Sequence, residues 1–388
     1  MKDIFEKKKA KITVKSPIHI GSVDQKLTTF EYIHFGQSIY QISEEKLSLF
    51  LQRKNLIDAY VNAVSGEGYR FKLLKFLKSK GITLKENDLI ILSGGRKTKL
   101  LGDASGLNEY RPFIKDGFSD IFIPGTSIKG VIRTAILYNF LSTFKKTDSQ
   151  GFQKVVEKKI SNDIDFRKER RIKNKILFEW GIKKWLEGFS LPEFDERESP
   201  HTDWLRMLHV SDAYPIKEIE TIIIPANVLK KDNSGWTYKK ENSGQMTTIW
   251  IECIPENSAF EFTISWDKRL LEEFKRQNST KVLPQGLEEV FDNINNWSKD
   301  VFEFEKSFSS GNDLQNWYKE NKANFRIGFG SGMTSTTISI LLTDEVRKKI
   351  RNFACRDKQN DIAPKSRRIW LKNNHLIPFG WAVMEVVG

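Results

Sequence analysis

The stretch Ile123-Pro124-Gly125-Thr126-Ser127-Ile128-Lys129-Gly130-Val131-Ile132-Arg133-Thr134-Ala135 joins a strand, a turn and a helix start. The apolar run that ends at Ile123 indicates a strand, and Pro124 with Gly125 indicates the turn that stops it. Thr126 or Ser127 is then expected to cap the helix that follows. Positions 128, 131, 132, 135 and 136 share one face of this helix, which predicts that this face packs inward.

The start of this helix is predicted to bind an anion. A helix N-terminus carries free N–H groups and about half a positive charge. Ser127 adds a hydroxyl, and Lys129 and Arg133 place two cations one turn apart on the flank. Gly130 costs roughly 1 kcal/mol relative to alanine inside a helix, which suggests that a partner approaches the backbone there. The alternative is an ordinary capped helix with two solvated cations.

Chain length and strand patterning indicate two domains. With 388 residues the chain is long enough for two domains and a large core. A boundary at 213–215 divides it into an N-terminal domain, 1–214, and a C-terminal domain, 215–388. Strand patterns interrupted by helical ones in both halves predict an α+β fold. Residues 30–33 and 38–42 are expected to form one hairpin, and 247–253 with 260–266 a second.

The charge balance predicts an acidic partner. A net charge of +13 and a pI near 9.4 favour nucleic acid or an anionic membrane surface. No apolar run approaches the roughly 20 residues of a spanning helix, and the N-terminus lacks the apolar segment of a secretory signal. We therefore expect a cytoplasmic protein that does not engage a membrane. Cys253 and Cys355 are too far apart in sequence for a cysteine metal knuckle.

The positive charge is concentrated in one region. Between residues 145 and 184 there are 13 Lys or Arg and 6 Asp or Glu, which gives a net charge of +7 (13 − 6). The pattern is helical and predicts an insertion in the N-terminal domain with one packed side and one cationic side. A solvated charged face is the common explanation of such a run, but this uneven surplus favours a surface that faces phosphates.

A glycine-rich segment, Arg326-Ile327-Gly328-Phe329-Gly330-Ser331-Gly332-Met333, lies late in the chain and is called the glycine loop below. Its spacing differs from the dinucleotide-binding pattern, so no cofactor is expected. Alternate glycines allow a backbone to lie against a polymer and to offer N–H groups to phosphates. We expect Gly328, Gly330, Ser331 and Gly332 to form the second wall of one groove, opposite the helix start.

Two further residues are candidates for RNA contact. His19 follows a strand in a short turn and could contact RNA or act as a general base, although a structural role is the commoner one for a histidine. Arg367 lies in a tail segment, 364–372, where four cations accompany Trp370. That composition suits phosphate contacts and base stacking, while Trp370 is equally suited to a core.

No His, Cys or carboxylate set has the spacing of a metal site, so no metal is expected.

The motif at 123–135 resembles the signature of the RAMP superfamily of CRISPR-associated RNA-binding proteins, and the glycine loop has the form and place of that superfamily's second hallmark. Three further segments resemble one subgroup of that superfamily. They are Ser16-Pro17-Ile18-His19-Ile20-Gly21, Leu208-His209-Val210-Ser211-Asp212 and Pro378-Phe379-Gly380-Trp381. That subgroup caps the three-prime end of the guide RNA in type III-A (Csm) effector complexes.

The resemblance implies a fold and partners. RAMP proteins use tandem ferredoxin-like, RRM-like domains, so this arrangement with helical insertions is expected here. The implied partners are CRISPR RNA (crRNA), a single-stranded RNA, and other Csm subunits, especially the repeated backbone subunit. A recruited host nuclease that trims the guide is implied as well. No aromatic run matches the base-stacking motif of an ordinary RRM, which favours binding through the RNA backbone.

Three functional hypotheses follow. The favoured one is a non-catalytic crRNA-binding subunit that caps the guide and supports its maturation in antiviral defence. The second is a metal-independent endoribonuclease of the RAMP superfamily, with His19, Lys129 and loop hydroxyls as its site. The third is an adaptor whose basic surface docks another protein. The pair Asp203 and Asp212 could be read as catalytic carboxylates, but aspartates at strand ends are more often turn formers.

Overall fold

The computed structural model describes residues 4–21, 25–158, 160–162, 204–232, 235–277, 284–354, 362 and 364–387. Most of the predicted basic insertion, from residue 163 onward, lies outside these residues, as do Asp203 and Cys355. None of the helices in the described ranges combines the length and apolar character needed to cross a bilayer.

The strands of the described residues are numbered in chain order. They are β1 (Phe5–Val14), β2 (Leu27–Thr28), β3 (Tyr32–Phe35), β4 (Ser38–Gln41), β5 (Lys97–Leu100), β6 (Glu109–Arg111), β7 (Leu208–Val210), β8 (Tyr214–Pro215), β9 (Ile222–Asp232), β10 (Gly235–Tyr238), β11 (Thr248–Cys253), β12 (Ala259–Asp267), β13 (Phe325–Arg326), β14 (Ser366–Lys372), β15 (His375–Pro378) and β16 (Trp381–Val387).

The described α-helices are numbered in the same way. They are α1 (Glu44–Arg53), α2 (Ile57–Glu67), α3 (Leu73–Ser79), α4 (Glu86–Ser93), α5 (Gly125–Thr147), α6 (Ser149–Phe152), α7 (Lys268–Gln277), α8 (Leu287–Phe308), α9 (Leu314–Glu320), α10 (Gly332–Thr336) and α11 (Asp344–Ala354).

The first sheet is organised around β1. Its strand order is β13-β16-β1-β12-β7, and β8 also pairs with β12. When the inserted elements are set aside, four strands and two helices occur along the chain in the order β1-α5-β7-β12-α8-β16. Strands that are neighbours in the sheet are antiparallel. This is the βαββαβ connectivity of a ferredoxin-like unit. The described residues therefore contain one such unit, interrupted by long insertions.

Alternation along β1 decides which face of this sheet is covered. Ala10, Ile12 and Val14 are fully buried and belong to the same hydrophobic cluster as Ile128 of α5 and Ile294 of α8. Both helices therefore pack on the face that carries the even-numbered residues of β1. Odd-numbered residues project from the opposite face, which is exposed over the first half of β1.

The second sheet mixes both halves of the chain. Its order is β2-β6-β11-β9-β5-β4-β3, with β10 and β14 paired to β9 and β15 paired to β14. Helices α1 to α4 pack against the hairpin of β3 and β4 through a separate cluster that includes Leu47, Leu77 and Leu89. The strands follow a different order from the first sheet, so the second unit of the expected tandem stays a prediction.

The structure confirms one of the two expected hairpins and corrects the other. The hairpin predicted for 30–42 is confirmed as β3 and β4, but 247–253 and 260–266 do not pair with each other. They form β11 in the second sheet and β12 in the first. The boundary expected at residue 214 falls inside β8, and each sheet takes strands from both sides of it. Both sheets thus extend across residue 214, and the division of the chain into two domains there stays a prediction.

Candidate nucleic-acid interface

The N-cap of helix α5 lies two or three residues earlier than predicted, and a distant side chain caps the start of the helix. Pro124 occupies the N-cap position and makes no side-chain cap bond, so the cap predicted for Thr126 or Ser127 is wrong. Instead, the N–H of Gly125 donates to Oδ1 of Asp212 across 2.7 Å. A Cβ on Gly125 would overlap the carbonyl oxygen of Val210. The helix start is therefore held against the end of β7. One of the N–H groups that lack a partner within the helix is bonded to a carboxylate.

The inward face of α5 is largely as predicted. Ile128, Ile132, Ala135 and Ile136 are buried, and position 131 is half-buried. Gly130 is exposed, and no described atom lies within 4 Å of where its Cβ would stand. The expected close approach at this glycine stays a prediction about a bound partner.

A groove of about 670 Å³ opens beside this helix start and is called the helix-start groove. Lys129 lines it on one side, and Lys7 of β1 lines it on the other. The remaining lining residues are Phe5, Gly125, Thr126, Leu208, His209, Val210, Ser211, Thr263 and Ser265. Lys129 thus faces the exposed side of the first sheet, whereas Ser127 and Arg133, both half-buried, do not line the groove.

Three lysines continue from the groove along β1, and we call Lys7, Lys9 and Lys11 the lysine row. They occupy alternate positions, so they share the face opposite the helices and lie about 6.6 Å apart along the strand. Lys7 and Lys9 are exposed, and Lys11 forms an ion pair with Glu385 across 2.6 Å. The row pairs in register with Ser265, Thr263 and Glu261 of β12.

Two aromatic rings lie at the groove end of this face. Phe5 is 45% exposed, and its ring meets the ring of His209 edge-on, with centroids 5.9 Å apart. The face therefore combines cations, hydroxyls and exposed rings, which are the groups that bind single-stranded RNA without reading its sequence.

The glycine loop packs on the turn that follows β1. Phe329 N–H donates to the carbonyl oxygen of His19 across 2.8 Å, and Gly380 N–H donates to the carbonyl oxygen of Pro17 across 3.0 Å. Gly328 has a φ of 79°, and a Cβ there would overlap the His19 carbonyl. The three segments around residues 19, 328 and 380 thus meet, although they are far apart in sequence.

Part of the glycine loop remains accessible. Gly328 and Gly332 are exposed and Gly330 is half-buried, whereas Ser331 is buried and donates through its hydroxyl to the carbonyl oxygen of Gly328 across 2.8 Å. The predicted roles of these three glycines and of Ser331 in RNA binding stay predictions. The Ser331 hydroxyl, however, already has a partner within the loop.

Arg326 supports the loop from below. Its buried guanidinium donates to the carbonyl oxygens of Gly330 and Phe379 across 3.0 and 3.3 Å. The fully buried carboxylate of Glu305 forms an ion pair with this guanidinium across 3.7 Å and a second ion pair with Arg367. One carboxylate thus neutralises part of the charge of two arginines and fixes the loop carbonyls.

Arg367 requires a correction. Its side chain is only 6% exposed, ion-paired to Glu305, and its guanidinium carbon lies 3.9 Å from the centroid of the Phe308 ring. Trp370 is buried as well. Neither side chain is available at the surface, so the predicted phosphate contact by Arg367 is replaced by a structural role. Alternation along β14 turns residue 367 toward the helix-packed core.

His19 is also enclosed. The ring is 4% exposed, its Nδ1–H donates to the carbonyl oxygen of Glu252 across 2.6 Å, and it packs between Phe113 and Phe329. Burial lowers the pKa of the imidazole below its usual value, although the bond to the Glu252 carbonyl opposes this. The neutral ring is thus held as part of the support for the glycine loop.

The two predicted walls of one groove lie at different corners of the first sheet. The loop follows β13 at one edge, and Lys129 lies beside β7 at the other, four strand spacings or about 19 Å away. Along β1 the groove contacts Phe5 and Lys7, whereas the loop contacts His19 beyond the far end. The expected shared trough is therefore wrong, and the lysine row lies between its two parts.

Some residues of this surface were not predicted. The lysine row is visible in the sequence as charges alternating with Ala10 and Ile12, so strand patterning could have found it. The cap by Asp212 depends on a contact across 87 positions, which no local pattern reveals. Within the described part of the chain, no group of three or more His, Cys, Asp or Glu residues is arranged to hold a metal ion.

Comparison with known proteins places this geometry in a family. The RAMP superfamily model matches residues 11–332. The chain is 25% identical over 288 residues to the "CRISPR system Cms protein Csm5" of Streptococcus thermophilus, covering 71% of this chain and 70% of that protein. It is 23% identical over 298 residues to the protein of the same name from Methanocaldococcus jannaschii, covering 69% and 63%.

Solved structures share the fold. A chain in the cryo-EM structure of a Csm–crRNA–target RNA ternary complex of a type III-A CRISPR-Cas system superposes with a TM-score of 0.64 at 19% identity, over 98% of this chain and 100% of that one. The crystal structure of T. onnurineus Csm5 gives 0.58 at 19% identity, over 96% and 99%. With the family model extending across most of its length and both glycine-bearing segments built as described, this chain belongs to the RAMP superfamily.

Proposed function

We propose that this chain is a non-catalytic RNA-binding subunit of a type III-A (Csm) effector complex and holds the crRNA near its three-prime end. Membership of the RAMP superfamily and the likeness to Csm5 proteins support this assignment. So does the likeness in fold to a chain of a complex that contains crRNA. The observation that carries the proposal is the exposed face of the first sheet, with its lysine row and the helix-start groove.

This face suits a single strand held by its phosphates. Alternate strand positions repeat every 6.6 Å or so, and a row of cations at that interval can follow an extended sugar-phosphate backbone. Thr263 and Ser265 offer hydroxyls beside the row, and Phe5 offers a ring for one base, worth roughly 1–3 kcal/mol. Few groups face base edges, so we expect little sequence preference.

The proposed partners follow from the same assignment. They are crRNA, the other Csm subunits, above all the repeated backbone subunit, and a recruited nuclease that trims the guide. The complex would act in the cytoplasm in antiviral defence. No group on the exposed face calls for a cofactor or a metal.

The alternative, a metal-independent endoribonuclease, is the weaker proposal. It would need the imidazole of His19 to reach a ribose hydroxyl, and this ring is enclosed between Phe113 and Phe329 with its Nδ1–H engaged. A general base must lie within hydrogen-bond reach of the proton that it removes.

The test is a titration of the purified protein with a fluorescent single-stranded RNA, with and without EDTA, at several salt concentrations. If about five phosphates are neutralised, log K should fall against log salt with a slope near −3.5, at about −0.7 per contact. The triple variant Lys7→Ala, Lys9→Ala, Lys129→Ala should lose about 2 from the magnitude of that slope.

A matched variant removes the same charge elsewhere. Lys54, Lys75 and Lys78 are exposed on the α1–α4 unit, and their replacement by alanine should leave the slope within error. Equal losses in the two triple variants would overturn the proposed face. Absence of any RNA affinity would favour the adaptor hypothesis, and cleavage that is lost in His19→Ala would favour the nuclease.

A further inference from the structure

Two arginines of the second sheet lie on one face close to the glycine loop. Arg111 of β6 pairs with Ile251 of β11, which pairs with Ile224 of β9. Arg368 of β14 pairs with Val228, four positions along β9. Paired residues, and residues an even number of positions apart on a strand, project from the same face. Both guanidinium groups therefore extend over the same side of the sheet.

The two guanidinium groups repel each other. Burial lowers the pKa of Arg368, and the charge of Arg111 lowers it further. The charge of Arg111 also contributes to the lowered pKa of His19. Arg111 is thus within electrostatic range of both Arg368 and His19, in a region where water screens the charges poorly.

Nothing in the described part of the chain neutralises the pair. Neither Arg111 nor Arg368 forms an ion pair there, and Nε of Arg111 and Nη1 of Arg368 are buried without a hydrogen-bond acceptor. The nearby carboxylate of Glu252 is engaged by Phe113 N–H, Thr221 Oγ1 and Lys115 Nζ, at 2.6 to 3.0 Å. Buried guanidinium donors are normally satisfied, so these two donors on one face of the sheet are available to an anionic ligand.

The glycine loop lies beside the two arginines. The guanidinium carbon of Arg368 lies 6.0 Å from the centroid of the Phe329 ring, which also contacts the rings of Phe379 and His19 at 5.8 and 5.9 Å. Both arginines are partly exposed, and Gly328 is exposed. A ligand can therefore reach the pair from the accessible side of the loop.

We propose that Arg111 and Arg368 form an anion site that binds one phosphate group of the RNA strand beside the glycine loop. The planar guanidinium fork matches phosphate oxygens with two parallel hydrogen bonds. The site rests on the proposed RNA-binding function and adds to it a second phosphate contact, separate from the lysine row. The shared chemistry of its ligands is a phosphate group, whether free or within RNA.

The test compares the double variant Arg111→Gln, Arg368→Gln with the control Arg53→Gln, Arg269→Gln, which removes two charges from exposed positions. Inorganic phosphate should raise the melting temperature of the wild type and of the control, but not that of the double variant. RNA affinity should fall about tenfold in the double variant, with a loss of about 0.7 from the magnitude of the salt slope.

The outcomes separate the two levels of the proposal. Phosphate stabilisation that is lost in the double variant, in a protein without RNA affinity, would keep the anion site and overturn the proposed function. Loss of phosphate stabilisation with unchanged RNA affinity would overturn the assignment to RNA. Equal behaviour of the two variants would overturn the site itself. If the glutamine variant does not fold, Arg111→Lys, Arg368→Lys keeps the charge, and its tenfold weaker RNA binding would be the expected result.

Discussion

The main-chain N–H of Phe329 donates to the carbonyl oxygen of His19 across 2.8 Å, which joins the glycine loop to the turn after β1. Gly380 N–H bonds to the Pro17 carbonyl, and Ile327 N–H bonds to the Gly380 carbonyl across 2.9 Å. Three separate segments thus form one backbone network. The glycines are needed because these backbones touch.

Gly328→Ala should be strongly destabilising, by about 2–4 kcal/mol, because the added Cβ meets the His19 carbonyl and the backbone is left-handed. Gly332→Ala is the control: its φ is 62°, but no described atom lies within 4 Å of the added Cβ. It should cost only about 1 kcal/mol. Urea unfolding measures both, and equal losses would show that packing against His19 is unimportant.

Asp212→Ala should destabilise the protein by about 0.5–2 kcal/mol, because the Gly125 N–H loses its acceptor at the start of α5. Asp212→Asn keeps a side-chain oxygen that can accept, so it should cost less. Thermal unfolding monitored by circular dichroism compares the two. A full loss in the asparagine variant would indicate that the charge, rather than the cap, is what matters.

Glu385→Gln should strengthen RNA binding. Glu385 pairs with Lys11 across 2.6 Å and competes with phosphate for that lysine. Release of an exposed ion pair, worth about 0.5–1 kcal/mol, corresponds to a gain of about two- to fivefold in affinity. The same replacement in the background Lys11→Ala should have no such effect. Fluorescence anisotropy at fixed salt provides the measurement, and a gain that persists without Lys11 would contradict the explanation.

Glu305→Gln should destabilise the fold by about 3–5 kcal/mol, because two buried guanidinium groups lose their counter-charge. Burial opposes ionisation of Glu305, but the charges of Arg367 and Arg326 hold its pKa below the usual value. A lowered carboxyl pKa stabilises the folded state above the ordinary carboxyl pKa. This contribution is lost as the pH falls toward the lowered value.

The pH profile separates this cluster from the surface. Unfolding measured between neutral and acid pH should show a shallower acid limb in Glu305→Gln than in the wild type. Glu303→Gln, at an exposed position in the same helix, should keep the acid limb of the wild type. Identical limbs in all three proteins would contradict the assignment of that limb to Glu305.

Local patterns in the sequence predicted local structure well. The helix at 125–147 and the hairpin of β3 and β4 follow from periodicity and turn residues within a dozen positions. The pairing of 247–253 with 260–266 failed because both are good strands, and only tertiary structure assigns them to different sheets. Periodicity specifies a face but not a neighbour.

The same limit applies to the candidate site. Lys129 was identified from the motif at the helix start, and it does line a groove on the exposed face. Arg367 and Arg368 are adjacent and chemically alike, but the strand turns the first inward to Glu305 and leaves the second beside Phe329. Composition cannot distinguish two neighbours of the same type. Only the register of β14 does.

The pairing of β1 with β16 has a consequence for folding during synthesis. Lys9 pairs with Val387, so the central strand of the first sheet gains one of its two neighbours only when residues near 387 have been made. Contacts this distant in sequence slow folding. Until then β1 has one bare edge, which is a site for aggregation, and we expect nascent chains of this protein to depend on chaperones or on early contact with their assembly partners.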